Sequence, residues 1–195
     1  MNIHPDMPRA LPRLETDNLV LRYLDPREAP LITRFRVENR QHLLEWEPAR
    51  RIEYYTENFW EVQLRAMLRE FRAGNSVCLT ILNTDESQVL GVCNYTNIVR
   101  GTFQSCHLGY AVAGSVQGQG VMQEALVASN AWIFRELRLH RIMANYLPRN
   151  TRSGRLLEKL GFEKEGLAKS FLRINGRWED HVLTSLINPA DIRTG

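Results

Sequence analysis

Two adjoining segments indicate the fold: an apolar run at residues 107–112 (HLGYAV) and a glycine-containing loop at residues 117–122 (QGQGVM). The run resembles a buried strand, and residues 121–137 after it repeat apolar side chains with a helical period. The loop glycines let backbone N–H groups approach a ligand closely, and the helix start adds unpaired N–H groups and a positive dipole end. This strand–loop–helix unit predicts a cradle for a pyrophosphate group.

Other phosphate-binding motifs fit this loop less well. A Walker loop ends in Gly-Lys-Ser/Thr, whereas Gly120 is followed by Val121 and Met122, which excludes that motif. The Rossmann motif needs three spaced glycines and a downstream acidic residue, and the loop offers Gly118 and Gly120 alone. Taken by itself, the loop is equally compatible with an ordinary strand-to-helix turn that binds nothing.

The rest of the chain alternates strand-like and helical segments. Pro26 suits the first turn of a helix, Gly74 and Gly161 are typical helix stops, and Asn175-Gly176 is a strong hairpin signal. This order of elements predicts an α/β fold around a mixed sheet. The expected strands span residues 14–24, 76–82, 88–99, 105–113, 141–147, 163–174 and 178–187, and the expected helices span 26–40, 54–73, 121–137 and 150–160.

The composition is typical of a globular enzyme or binding domain. With 195 residues, 44% of them hydrophobic, the chain can bury a core, and we expect one domain over residues 1–195. No apolar run reaches the roughly 20 residues of a membrane span, and no signal peptide is expected. The cysteines, Cys78, Cys93 and Cys106, lie in strand-like stretches. We therefore expect buried thiols in a reducing cytoplasm, with no disulfide and no metal site.

Positive charge is concentrated toward the C-terminal part. Residues 138–177 hold ten Lys and Arg against three acidic residues, a net charge of +7, although the whole chain carries only +3. Such asymmetry favours an anionic partner, either a phosphorylated cofactor or an RNA surface. A solvated basic face without a partner is the remaining alternative.

Longer stretches resemble one enzyme family. Gln117-x-x-Gly120-x-Met122 is similar to the Gln/Arg-x-x-Gly-x-Gly/Ala signature of GNAT acetyltransferases, with Met122 in place of the small residue. Asn150-x-x-Ser153 and residues 156–162 (LLEKLGF) resemble the second cofactor segment of that family. The chain resembles most the GNAT branch that acetylates the N-terminal alanine of a ribosomal protein. That likeness is carried by residues 38–40 (ENR), 43–48 (LLEWEP), 99–101 (VRG), 141–146 (RIMANY), 161–166 (GFEKEG) and 178–183 (WEDHVL).

The resemblance implies a single GNAT-type acyl-CoA N-acyltransferase domain, with flanking helices on a mixed, mostly antiparallel sheet of about seven strands. It implies acetyl-CoA as co-substrate, whose pantetheine arm enters a gap between the strand at 110–112 and the strand at 141–147. Asn150 is equally suited to capping the helix that follows it. The cofactor-binding residues implied are Tyr110, Ala111, Val112, Gln117, Gly118, Gln119, Gly120, Val121, Met122, Asn150 and Ser153.

The resemblance implies that the acceptor amine attacks the thioester directly and that no acyl-enzyme forms. An α-amino group has a pKa of about 8, so a modest general base suffices. The tyrosine that some GNAT enzymes use as an acid corresponds here to Leu157, whereas Ser153 resembles a serine near the sulfur in ribosomal-protein acetyltransferases. Ser153 could instead satisfy local backbone. Glu47 is the preferred base, ahead of Glu165 and Asp180, although a surface carboxylate fits Glu47 equally well.

Three functions follow from these residues. The first is a cytoplasmic acetyltransferase for the N-terminal alanine of a small-subunit ribosomal protein, with a possible ribosome or rRNA contact through the basic residues 138–177. The second is a small-amine acetyltransferase for an antibiotic or a polyamine. The third is a ribosome-binding or RNA-binding assembly factor in which acetylation is secondary. Arg149, Arg152 and Arg155 could meet either the 3′-phosphate of the cofactor or ribosomal RNA.

Overall fold

The computed structural model describes His4 and residues 6–192, which build one eight-stranded sheet with helices on both faces. The strands are β1 Arg13–Glu15, β2 Leu19–Arg22, β3 Val77–Asn83, β4 Val89–Val99, β5 Ser105–Val112, β6 Arg141–Tyr146, β7 Glu163–Ile174 and β8 Arg177–Ile187. Their order across the sheet is β1-β2-β3-β4-β5-β6-β8-β7. Neighbouring strands are antiparallel except β5 and β6, which run parallel. The α/β fold expected from the sequence is thereby confirmed.

Helices cover the two faces of the sheet and bury one apolar cluster on each. Side chains alternate along β4, so Cys93 and Tyr95 pack on the face covered by α4, and Val92 packs on the face covered by α1 and α3. Full burial of each large apolar side chain stabilises the fold by about 1.5–3 kcal/mol. The helices are α1 Ala29–Glu38, α2 Arg40–Leu43, α3 Glu57–Ala73, α4 Val121–Leu137 and α5 Thr151–Lys159.

The expected single strand over residues 14–24 is wrong, because the chain turns back at Thr16–Asn18. This turn separates β1 from β2, which pair antiparallel, and the sheet gains an eighth strand where about seven were expected. The carboxylate of Glu124 on α4 accepts from Thr16 Oγ1 at 2.6 Å and from Asn18 N at 3.0 Å. Local hydrogen bonds between Thr16 and Leu19 close the turn, and Glu124, more than a hundred positions away, adds the bonds that fix it to α4.

β5 and β6 separate partway along their length. Their pairing covers Ser105–His107 against Arg141–Met143 and then stops. From residue 108 onward, the edge of β5 that faces β6 pairs with no strand among the described residues, while β4 pairs with its other edge. The strand gap that the resemblance implied is present, and it opens toward the loop before α4.

Several local signals are confirmed. The helix predicted over residues 121–137 matches α4, and Asn175-Gly176, with φ of 49° and 83°, forms the turn between β7 and β8. Cys93 and Cys106 are free and fully buried. In the described part of the chain, no helix is long and apolar enough to cross a membrane.

Candidate functional site

The gap between β5 and β6 is the mouth of a cavity of about 600 Å³. Its walls come from β5, the loop before α4, β6, the start of α5, and the segment after α2, with Ile174 and His181 from the β7–β8 hairpin. Ten of the eleven predicted cofactor-binding residues and both predicted catalytic residues line this cavity, and Gln119 does not. The structure thus brings residues from distant segments into one site.

The loop before α4 presents free backbone donors. Gly118 and Gly120 adopt left-handed φ values of 79° and 85°, which glycine reaches without strain. Among the described residues, no side chain caps the N-terminus of α4. Across the described residues, the backbone N–H groups of Gly118, Gly120, Val121, Met122 and Gln123 donate to no protein acceptor. This set of donors at the positive end of a 17-residue helix fits a pyrophosphate group.

Basic side chains lie beside these donors. Arg152 and Arg155 line the cavity from α5, and the Arg152 guanidinium donates to the side-chain oxygen of Gln117. Asn150 caps α5, because its Oδ1 accepts from Ser153 N at 3.1 Å. The capping role of Asn150 is therefore confirmed. Arg149, in contrast, pairs with Glu179 at 3.0 Å and does not line the cavity.

Two hydroxyl groups meet in the middle of the cavity. Tyr110 Oη and Ser153 Oγ lie 2.7 Å apart, within hydrogen-bonding distance, and both residues line the cavity. Burial raises the pKa of Tyr110 to about 12, so its hydroxyl stays protonated at neutral pH. The resemblance implied that Tyr110 binds the cofactor, but nothing in the sequence places its side chain against Ser153. This pair can pass a proton to a leaving group in the cavity.

Glu47 lines the same cavity, together with a group of residues that we call the acceptor end and define by His42, Trp46, Glu47, Ile174 and His181. The Glu47 carboxylate accepts from Arg36 Nη1 at 3.1 Å. Arg36 is itself only 6% exposed and lies against the rings of Phe35, Tyr54 and Trp60. The carboxylate is therefore held in place by a buried cation at the cavity wall.

The lesser base candidates lie outside the cavity lining. Glu165 accepts from Arg141 and from Ser185 Oγ, and Asp180 is bound by Lys169 Nζ at 2.7 Å. Cys106 is 0% exposed, and burial raises the pKa of its thiol to about 12. A nucleophilic role for this cysteine has no support, in line with the expected direct transfer.

The family follows from this geometry together with sequence comparison. The sequence pattern of the acetyltransferase (GNAT) domain family matches residues 18–163, most of the chain. The chain belongs to the GNAT family. Its acyl donor is acetyl-CoA, and it is an N-acetyltransferase. Within the described residues, no group of three or more His, Cys, Asp or Glu side chains could hold a metal ion.

Individual relatives of this GNAT protein act on ribosomal proteins. It is 45% identical over 178 residues to the ribosomal protein uS5-alanine N-acetyltransferase of Escherichia coli K12, covering 91% of each chain. The ribosomal-protein-S5-alanine acetyltransferase of Vibrio fischeri matches with a TM-score of 0.87 at 36% identity, covering 93% of this chain and 100% of the other. Mycobacterium smegmatis RimJ, solved in complex with CoA-disulfide, matches with a TM-score of 0.85 at 28% identity, covering 98% and 93%. The resemblance stated from sequence is confirmed.

Proposed function

We propose that this GNAT enzyme transfers an acetyl group from acetyl-CoA to the N-terminal alanine of ribosomal protein uS5. The observation that carries the proposal is the 45% identity to the E. coli uS5-alanine enzyme across 91% of both chains. An acceptor end separate from the donor-rich loop is consistent with it, because a peptide terminus needs its own entrance.

The protein binds acetyl-CoA through backbone groups and basic side chains. The unpaired edge of β5 at Tyr110, Ala111 and Val112 offers hydrogen-bonding groups to the pantetheine arm, and the loop before α4 holds the pyrophosphate. Arg152 and Arg155 add positive charge for the phosphates. Bound acetyl-CoA supplies an activated thioester carbonyl. Its fixed position converts amine attack into an intramolecular step.

Proton transfer is then the task of the side chains. The Tyr110–Ser153 hydroxyl pair donates a proton to the departing sulfur. The incoming α-amine has a pKa of about 8 and arrives largely protonated at neutral pH. Glu47, the base predicted from the sequence, accepts from Arg36, and its carboxylate attracts the ammonium group into the acceptor end.

The acceptor end has apolar walls beside the carboxylate of Glu47. Trp46 and Ile174 line it, and the segment after α2 is tied to the β7–β8 turn, because Ala49 N donates to Asn175 Oδ1. An alanine methyl group can pack against these apolar walls while the terminal ammonium group meets the carboxylate.

The basic residues 138–177 are proposed to hold the substrate particle. Their net charge of +7 favours ribosomal RNA beside the modified protein, and a ribosomal substrate supports a cytoplasmic location. Binding to small-subunit particles is expected to weaken steeply between about 50 and 200 mM salt. Binding that is unchanged by salt would contradict this contact.

Mass spectrometry of acetyl transfer tests the proposed function. The acceptors are a peptide with the uS5 N-terminal sequence, its N-blocked copy, a serine-first copy, a polyamine and an aminoglycoside. We expect acetylation of the free alanine peptide alone. Acetylation of only the small amines would overturn the alanine assignment, and acetyl-CoA binding without transfer to any acceptor would favour the assembly-factor alternative.

A further inference from the structure

His181 on β8 has an unusual setting at the acceptor end. It is 4% exposed and lines the cavity. Its Nδ1 lies 3.0 Å from the backbone oxygen of Glu179. A carbonyl oxygen only accepts hydrogen bonds, so Nδ1 must carry the proton, and the neutral ring then keeps its lone pair on Nε2.

Nε2 is left free for a substrate. In the described part of the chain, Nε2 has no hydrogen-bond partner, yet it is not one of the fully buried polar atoms that lack a partner. It is therefore accessible, and since His181 lines the cavity, we infer that Nε2 faces the cavity. The Phe171 ring lies 5.6 Å from the imidazole, which limits how the imidazole can turn. The ring is thus fixed in position and in tautomer, as a proton acceptor requires.

The charged groups near His181 already have partners. On its own strand, Glu179 pairs with Arg149 at 3.0 Å, and Asp180 accepts from Lys169 at 2.7 Å. Across the cavity, Glu47 accepts from Arg36. Each of these carboxylates is paired with a basic side chain, whereas Nε2 of His181 has no partner among the described residues. His42, the other histidine lining the cavity, makes no side-chain hydrogen bond within the described residues, so no such bond orients its ring as the bond to Glu179 orients His181.

We propose that His181 is the general base that deprotonates the incoming α-ammonium group, an assignment that rests on the proposed function. One N–H bond of the ammonium breaks and an Nε2–H bond forms, leaving the electron pair on the nitrogen. The neutral amine attacks the thioester carbonyl, and the C–S bond breaks with its electrons on sulfur. As the amide forms, the nitrogen loses a second proton, which reaches the sulfur through Ser153 and Tyr110. His181 then releases to water the proton that it took from the ammonium group.

The test uses His181→Asn, whose side-chain amide can still donate to the Glu179 oxygen but has no basic nitrogen. At pH 7 we expect kcat/KM for the alanine peptide to fall about 100-fold, at the low end of general-base effects, with an unchanged Kd for CoA. The deficit should shrink about tenfold by pH 9.5, because the neutral fraction of an amine with pKa about 8 rises by that factor. His181→Ala should regain activity with added imidazole.

A second readout does not depend on activity. NMR of the wild-type protein with ¹⁵N-labelled histidine should show the Nδ1–H tautomer for His181. His140→Asn, outside the cavity, is the matched control and should leave kcat/KM unchanged. The proposal is overturned by an Nε2–H tautomer, by a pH-independent deficit, or by a loss in His42→Asn or Glu47→Gln with none in His181→Asn. Inactivity of the wild-type enzyme toward the peptide would instead refute the proposed function.

Discussion

Removing either hydroxyl of the Tyr110–Ser153 pair tests whether the two act as one proton relay. We expect Tyr110→Phe and Ser153→Ala each to lower kcat about 100-fold, at the low end of general acid–base effects. If both serve one relay across the 2.7 Å contact, the double variant loses no more than about another threefold. If the two effects were independent, they would multiply, and the double variant would lose about 10,000-fold in kcat. That loss raises the activation barrier by roughly 5.4 kcal/mol, compared with roughly 2.7 kcal/mol for a single 100-fold loss.

Thiol release from acetyl-CoA measures kcat, and calorimetry of CoA binding shows whether the donor site is intact. Loss of one hydrogen bond costs about 1 kcal/mol, so Tyr110→Phe should lower Tm by roughly 2–4 °C in a domain of this size. With a Tyr110 pKa of about 12, the wild-type activity should show no basic limb from this hydroxyl below about pH 10. Multiplicative losses, or a Tyr55→Phe control as impaired as Tyr110→Phe, would refute the relay.

Three further predictions concern the loop, the β1–β2 turn and acid stability. Gly120→Ala, at a φ of 85°, should strain the loop by about 1–2 kcal/mol and weaken CoA binding severalfold by calorimetry. Glu124→Ala removes the acceptor of the β1–β2 turn and should lower the free energy of urea unfolding by about 1.5–3 kcal/mol. Arg13 and Arg22 lower the pKa of Glu86 to about 2 from an ordinary 4.5, so its stabilisation is present above pH 4.5 and is lost as pH falls toward 2.

Each of these predictions has a matched control. Gly101→Ala has a similar φ of 72° outside the cavity and should leave CoA binding unchanged. Glu136→Ala, in the same helix as Glu124 but paired only with Arg135, should change the unfolding free energy by less than about 0.5 kcal/mol. Glu86→Gln should flatten the acid part of the stability profile, and an unaltered profile would argue against the assigned ion pairs.

Sequence alone determined the features that depend on neighbouring residues. The bounds of α4, the Asn150 cap, the Asn175-Gly176 turn and the donor-rich loop all follow from local backbone preferences and apolar period. Similarity to GNAT enzymes then predicted eleven cofactor-binding residues, and ten of them line the cavity, because the loop and strand that carry them lie at a fixed spacing along the chain.

Tertiary structure decided what depends on contacts between distant segments. Glu124 binds the turn between β1 and β2 from 106 to 108 positions away, Tyr110 meets Ser153 across 43 positions, and buried Arg36 holds Glu47 at the cavity wall. His181 belongs to a segment already recognised as family-like, yet only the structure shows its Nδ1 bound and its Nε2 open to the cavity. The partners of these side chains depend on how distant segments pack on the sheet. Such packing produces no repeating pattern in the sequence, so the partners could not be predicted from it.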